Sequence, residues 1–333
     1  MSHWWAQAHG GDYSDQRLNT WMTEKDAELI HKMGFKHVRF TLEPKAIWNN
    51  AAPGDLPNDR LAMLKKNVAW YTKRGLVVIL DCHPSGDFKE KLASDPASVG
   101  KFESWWKSLA LAFKGVSNRS LIFETLNEPE FKNPSQWRTV QGRLIKAIRG
   151  SAPNHTVVVT GHEWGGIQNL LELTPYEDKN LIYSFHCYDP HLFTHQGASW
   201  GWEATQHVKN LPWPTSPEAF AAHLKGIERE DVRGFAKNLG DEKWGPARVL
   251  ANLKRASDYG VKHKVPVYCG EFGSYRTFTQ PKDRIAWITD TRKALNQLKV
   301  GWAMWDYTGG FAVALGEPGA RKADPETVKA LGY

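Results

Sequence analysis

An eight-stranded parallel barrel of alternating strands and helices, a (β/α)8 or TIM barrel in the α/β class, is the fold that the sequence predicts. Three observations lead there: seven short β-rich runs that are nearly continuous in apolar residues, amphipathic helical stretches between them, and polar residues gathered where the runs end. Strands that alternate with helices form a parallel sheet, and strands apolar throughout are covered on both faces. A chain of 333 residues, 41% of them apolar, holds enough core for one such domain over 1–333.

The runs are KHVRFTL (36–42), LVVILDC (76–82), SLIFETLN (120–127), TVVVTG (156–161), NLIYSFH (180–186), VPVYCGE (265–271) and VGWAMWD (300–306). Between them, helical patterns cover Thr23 to Met33, Arg60 to Lys73, Phe102 to Phe113, Gln136 to Ile148, Arg248 to Tyr259 and Arg284 to Leu298. An eighth strand is needed. The helix near Thr23 leads straight into the run at 36, so the first strand is expected ahead of Ser2-His3-Trp4, truncated at Met1. His3 and Trp4 would follow it, either lining a cleft or packing structurally. The stretch 189–247, after the sixth strand of the barrel, is too long for an ordinary loop and carries Trp200, Trp202, Trp213 and Trp244. It reads as a loop and helical insertion over the active-site face.

Composition excludes several classes. The net charge is +7, but Lys and Arg are scattered among acids, which describes a solvated surface and no nucleic-acid partner. No apolar run reaches 18 residues, so no membrane span is expected. The opening MSHWWAQAHG is not a signal peptide. The compartment stays open between export, with a signal outside this chain, and the cell interior. Cys82, Cys187 and Cys269 are odd in number and lie near strand ends, which fits buried free thiols. The 16 Trp include many in loop-like segments, where a flat apolar ring matches the face of a sugar.

In such barrels the active site forms at the C-terminal strand ends. Arg39, His83, Asn127, Glu128, His186, Tyr188, Glu271 and Trp305 all fall there. Each alone has a structural explanation, but their joint placement does not. Glu128 and Glu271 are strand-end acids that suggest a facing pair, and glycoside hydrolysis needs one acid to protonate the leaving oxygen and one carboxylate to attack or to activate water. Glu124, inside its strand, is instead expected to form a buried ion pair with a basic neighbour.

Asn127-Glu128-Pro129, His186-Cys187-Tyr188, Gly270-Glu271-Phe272-Gly273 and Trp305 resemble glycoside hydrolase family 5, the cellulase family of retaining (β/α)8 enzymes. The likeness runs from Arg39 to Trp305. SFHCYDPHLFTHQGASW (184–200) and YCGEFG (268–273) are similar to a bacterial endo-β-1,4-glucanase branch. The resemblance implies Glu128 as acid/base, Glu271 as nucleophile and Asn127 on the sugar 2-hydroxyl. It implies Arg39 and Tyr188 beside Glu271, favouring its charged form, and a Glu128 kept protonated by burial and by the charge of Glu271. His83 and His186 would orient the nucleophile or substrate hydroxyls. Trp305 would floor the subsite of the attacked sugar, with Trp164, Trp200 and Trp202 at neighbouring subsites.

The expected activity is endo-hydrolysis of β-1,4 or mixed-linked glucan through a covalent glycosyl-enzyme, by a monomer without cofactor or metal. A β-mannanase is the alternative within the family. Outside it stand a metal-dependent hydrolase using His186, His191 and His195, whose spacing fits ligands poorly, and a non-catalytic sugar-binding barrel, which would not need two acids.

Overall fold

The computed structural model describes residues 1–49 and 51–333. Seven strands hydrogen-bond side by side in chain order: β1 (His37–Leu42), β2 (Val77–Cys82), β3 (Leu121–Glu124), β4 (Val157–Thr160), β5 (Leu181–His186), β6 (Val267–Phe272) and β7 (Gly301–Met304). The pairs from β1 to β5 are parallel, with Val38 opposite Val78, Leu80 opposite Phe123 and Val158 opposite Ile182. All seven expected strands are present. Their interiors bury apolar side chains on both faces, as the adjacent pairs Ile79 and Leu80 in β2 and Val158 and Val159 in β4 show.

The expected helices form as well, most of them longer than the apolar periodicity suggests. The helix expected from Phe102 begins at Pro96, and the one expected from Gln136 begins at Pro134. Proline at the first helical position sacrifices no hydrogen bond, and the residue before it supplies the cap. Asp95 accepts from Ala97 N at 2.9 Å, and Asn133 Oδ1 accepts from the amides of Ser135 and Gln136. At the helix Glu24–Lys32, Thr23 and Asp26 form a capping box.

The chain resolves into two compact units. One comprises Met1–Phe185, Tyr259–Tyr268 and Gly316–Lys322; the other comprises His186–Asp258, Cys269–Leu315 and Ala323–Tyr333. In the first unit the helices Pro96–Phe113 and Pro134–Ser151 press buried aromatics onto the strands. Trp106 Nε1 donates to Thr125 O at 3.0 Å and Trp137 Nε1 to Thr160 O at 2.9 Å, which pins the backbone just beyond β3 and at the end of β4. The outer edge of β1 is covered by residues 1–5. The Met1 ammonium donates to Arg39 O at 2.7 Å, Thr41 Oγ1 to Met1 O at 2.6 Å and Glu43 N to Trp5 O at 2.8 Å. This segment lies where the first strand was expected, without regular strand geometry. Trp4 is fully buried and donates to Leu18 O at 2.8 Å, so its role is structural.

The second unit contains the whole of 189–247. That stretch folds into a helical turn His191–Thr194 and the helices Pro217–Leu224 and Glu230–Asp241. Its tryptophans divide by role. Trp213 and Trp244 are buried, with Trp213 Nε1 on Asp290 and Trp244 N on Thr215 Oγ1, whereas Trp200 and Trp202 are 49% and 42% exposed.

Candidate active site

The polar residues of the first unit form a closed ring of hydrogen bonds at the ends of β1, β2 and β3. Arg39 points its fork at Glu124, with Nε to Oε2 at 2.7 Å and Nη2 to Oε1 at 2.8 Å. Nη2 also lies 3.0 Å from Asp81 Oδ2 and 2.9 Å from Asn127 Oδ1. His83 Nδ1 lies 2.9 Å from Asp81 Oδ2, and Asn127 Nδ2 lies 3.3 Å from His83 Nε2. A carboxylate only accepts, so Nδ1 of His83 carries the proton and Nε2 accepts from Asn127. The Asn127 amide is thereby fixed: its oxygen faces Arg39, one amide hydrogen serves His83, and Nδ2 has a second to give. All five side chains are at least 95% buried.

These positions follow from strand periodicity. Asp81 and His83 are two apart on one face, Asp81 sits opposite Glu124 in register, and Asn127 N donates to Cys82 O at 2.7 Å, prolonging the ladder past β3. The expected ion pair of Glu124 with a basic neighbour is present, and the neighbour is Arg39. The Arg39 fork thus grips Glu124, Asp81 and Asn127 together. Glu128 comes next in the chain, half-buried, with φ at +44°, a left-handed backbone that costs a non-glycine residue energy. Trp164, beyond β4, is 54% exposed, and its N–H donates to Pro129 O at 3.1 Å.

In the second unit, β6 presents Glu271, 3% exposed, with the Tyr188 hydroxyl donating to its Oε2 at 2.7 Å. His186 Nδ1 stands 3.6 Å from the same oxygen. Cys187 N donates to Glu271 O and Trp305 N to Phe272 O, both at 2.9 Å, so the segments of Cys187 and Trp305 are both in strand-like register with β6. Gly273 is required here: a Cβ would lie 2.3 Å from Trp305 O. Trp305 is partly buried and is joined to Asp306 by a cis peptide.

Tyr188 is itself held. Thr194 Oγ1 donates to Tyr188 O at 2.6 Å and faces His195 Nδ1 at 3.0 Å, while the His195 ring meets Tyr188 edge-on at 4.9 Å. His191 and His195, expected in a loop of undefined geometry, flank a helical turn with rings stacked 4.0 Å apart. Trp202 stands 6.4 Å from His191, and Trp200 meets Tyr275 edge-on at 4.9 Å. Burial pushes the thiols of Cys82, Cys187 and Cys269 up, which keeps them protonated and poor nucleophiles. Sequence reasoning missed Asp81, although Asp-x-His at a strand end was a usable signal, and it missed Thr194, which carried none.

Residues 6–310 match the family described as Cellulase (glycosyl hydrolase family 5). Endoglucanase C of Acetivibrio thermocellus is 29% identical over 302 residues, which are 89% of this chain and 86% of that protein. Cellodextrinase A of Ruminococcus flavefaciens is 28% identical, over 89% of this chain and 81% of its own. The solved endoglucanase Cel5A of the hyperthermophile Thermotoga maritima is 25% identical with a TM-score of 0.78, covering 93% of this chain and 90% of that one. A structure of the same enzyme in complex with cellobiose aligns at a TM-score of 0.76 over the same shares. The match of residues 6–310, with strand-end residues on the motifs read from the sequence, places this chain in the cellulase family, glycosyl hydrolase family 5, as a glycoside hydrolase with that family's (β/α)8 barrel fold.

Proposed function

We propose that the protein is a retaining endo-β-glucanase acting on β-1,4-linked glucan, and on mixed-linked glucan, by double displacement. Glu271 attacks the anomeric carbon as the glycosidic C–O bond breaks, and Glu128 passes its proton to the leaving oxygen. Water then attacks the same carbon from the opposite face, giving its proton to Glu128 and releasing Glu271. Two inversions leave the configuration unchanged.

The observation that carries this reading is the setting of Glu271. The buried carboxylate is fixed by the Tyr188 hydroxyl at 2.7 Å and is offered on a strand end, the posture an attacking oxygen needs. The Arg39–Asp81–His83–Asn127 ring supports a second assignment. It leaves the Asn127 amide rigid with a hydrogen to give the sugar 2-hydroxyl as the ring flattens toward an oxocarbenium ion. The names of the relatives, endoglucanase and cellodextrinase, support the substrate class. Trp305, Trp164, Trp200 and Trp202 would supply stacking faces for sugar rings, and His186 would orient the nucleophile.

Incubation with dinitrophenyl 2-deoxy-2-fluorocellobioside tests the mechanism. The expected result is one covalent glycosyl adduct per chain, located on Glu271 by peptide mass analysis. Inactivation without an adduct, or an adduct elsewhere, would overturn it. Reducing-end release from carboxymethyl cellulose, lichenan, glucomannan and mannan tests the substrate, and preference for mannan would move the assignment to a β-mannanase.

A further inference from the structure

Lys89 is the most buried lysine in the first unit that carries the Glu128 loop, and its position is unexpected for its residue type. It lies on the helix Gly86–Ser94, which follows His83 and β2, and is 5% exposed. Lysine is almost never so buried without a partner. Its Nζ lies 3.3 Å from Glu130 Oε1 and 5.1 Å from the centre of the Trp164 ring. The Glu130 carboxylate also sits against the start of that helix, where a Cβ on Gly86 would lie 3.5 Å from Oε1. The anion beside the ammonium thus also lies close to the positive end of that helix.

The two segments joined by this ammonium are both strained. Glu163, Trp164 and Gly165 have φ of +43°, +70° and +65°, three left-handed residues in a row of which two carry side chains. Glu128, two residues before Glu130, has φ of +44°. Such strain persists where the surroundings over-determine the conformation, and it collects at functional sites. The strained turn and the strained loop are linked by two bonds: Trp164 N to Pro129 O in the backbone, and Glu130 to Lys89 to the Trp164 ring through side chains.

We propose that Lys89 is a positioning residue for the leaving-group side of the site. It locks the exposed Trp164 ring to the loop of Glu128, so that the departing sugar meets a preset ring face beside the acid that protonates it. The inference rests on Glu128 as the acid, as proposed above. A ring held this way loses no freedom when the sugar stacks on it, which lowers the cost of binding a leaving sugar and aligns its glycosidic oxygen with the acid. A dinitrophenyl leaving group gains much less from either effect.

The test compares kcat/KM on cellotetraose with kcat/KM on dinitrophenyl cellobioside for wild type, Lys89→Met, Lys89→Arg and Glu130→Gln, each with its unfolding midpoint. Lys89→Met is expected to lower the ratio of the two values about tenfold, the scale of one partly desolvated cation–π and ion-pair contact. Most of that change should lie in KM for cellotetraose. Lys89→Arg, which keeps charge and reach, should recover most of it, and Glu130→Gln should shift the ratio the same way. Equal losses on both substrates, or an unchanged ratio in a folded variant, would overturn the proposal. Glu128→Ala is the control for the underlying reading: if it spares the activated substrate while Lys89→Met leaves the ratio alone, only the role of Lys89 falls.

Discussion

Arg39 holds Glu124 by two parallel hydrogen bonds, at 2.7 and 2.8 Å, while the same Nη2 lies 2.9 Å from Asn127 Oδ1. The pair is 96% and 98% buried, so its members are tied to each other's charge. Removing one partner of a buried pair leaves an uncompensated charge, which costs about 3–5 kcal/mol. Arg39→Met, which leaves the buried Glu124 and Asp81 carboxylates without their guanidinium, is therefore expected to lose stability on that scale in urea unfolding. Arg39→Met should also release the Asn127 amide, so the activity of whatever variant remains folded should fall further than its stability accounts for.

Tyr188→Phe isolates a different contact. The change deletes one hydroxyl and keeps the ring that packs against His195 and Phe311. A hydrogen bond to a charged group contributes about 1.5–3 kcal/mol, so kcat should fall roughly 10- to 100-fold. The unfolding midpoint should move little. A variant with wild-type kcat would show that the hydroxyl does not hold the nucleophile.

Much of this was legible in the chain. The strands were readable because β-branched and apolar residues run without interruption between turn residues, and the helices because their buried stripes recur at helical spacing. The helix Gly86–Ser94 was not found, and Pro217–Leu224 and Glu230–Asp241 were expected only as an insertion with helical content and no bounds, since they lie outside the strand–helix alternation that guided the reading. Lys89 was invisible for a sharper reason. In GDFKEKL it looks like one more solvated lysine, and the Glu130 and Trp164 that meet it are distant in sequence. Glu128 and Glu271 stood out as candidates because strand-end acids have few structural duties, whereas the hydroxyl that holds Glu271 comes from a distant part of the chain.

One stability change with pH follows from His37, whose Nε2 lies 2.9 Å from the Tyr268 hydroxyl. Burial pushes its imidazole down to about 4 from an ordinary value of 6.5. Below 6.5 the unfolded chain takes up a proton that the folded chain refuses. The contribution of the neutral ring is thus complete above pH 6.5 and drains as pH falls toward 4. In that window wild type should lose unfolding free energy more steeply than His37→Gln, by up to about one proton's worth of slope. Parallel slopes would show that His37 titrates normally.

Activity is expected to be independent of divalent metal. The proposed steps place every developing charge on Glu128, Glu271 or the sugar, with no role for a cation. Dialysis against EDTA should leave the rate on carboxymethyl cellulose unchanged. A large loss restored by zinc or manganese would replace the two-glutamate mechanism with a metal-assisted one, for which His186, His191 and His195 would be the residues to change.

The two glutamates can be separated by what each one does. If Glu128 only gives and takes protons, Glu128→Ala should cripple cellulose hydrolysis yet leave glycosylation by dinitrophenyl cellobioside nearly intact, because that phenol departs without protonation. Glu271→Ala should be inactive on both, since a good leaving group removes the need for an acid but not for a nucleophile. In the Glu128 variant the glycosyl-enzyme should then accumulate, visible as a burst of dinitrophenol, because its hydrolysis still wants a base. Azide needs no base, so adding it should speed turnover of that variant and give the glycosyl azide with retained configuration. Equal losses on the activated substrate, or azide rescue with retained configuration in the Glu271 variant alone, would mean that the roles are reversed.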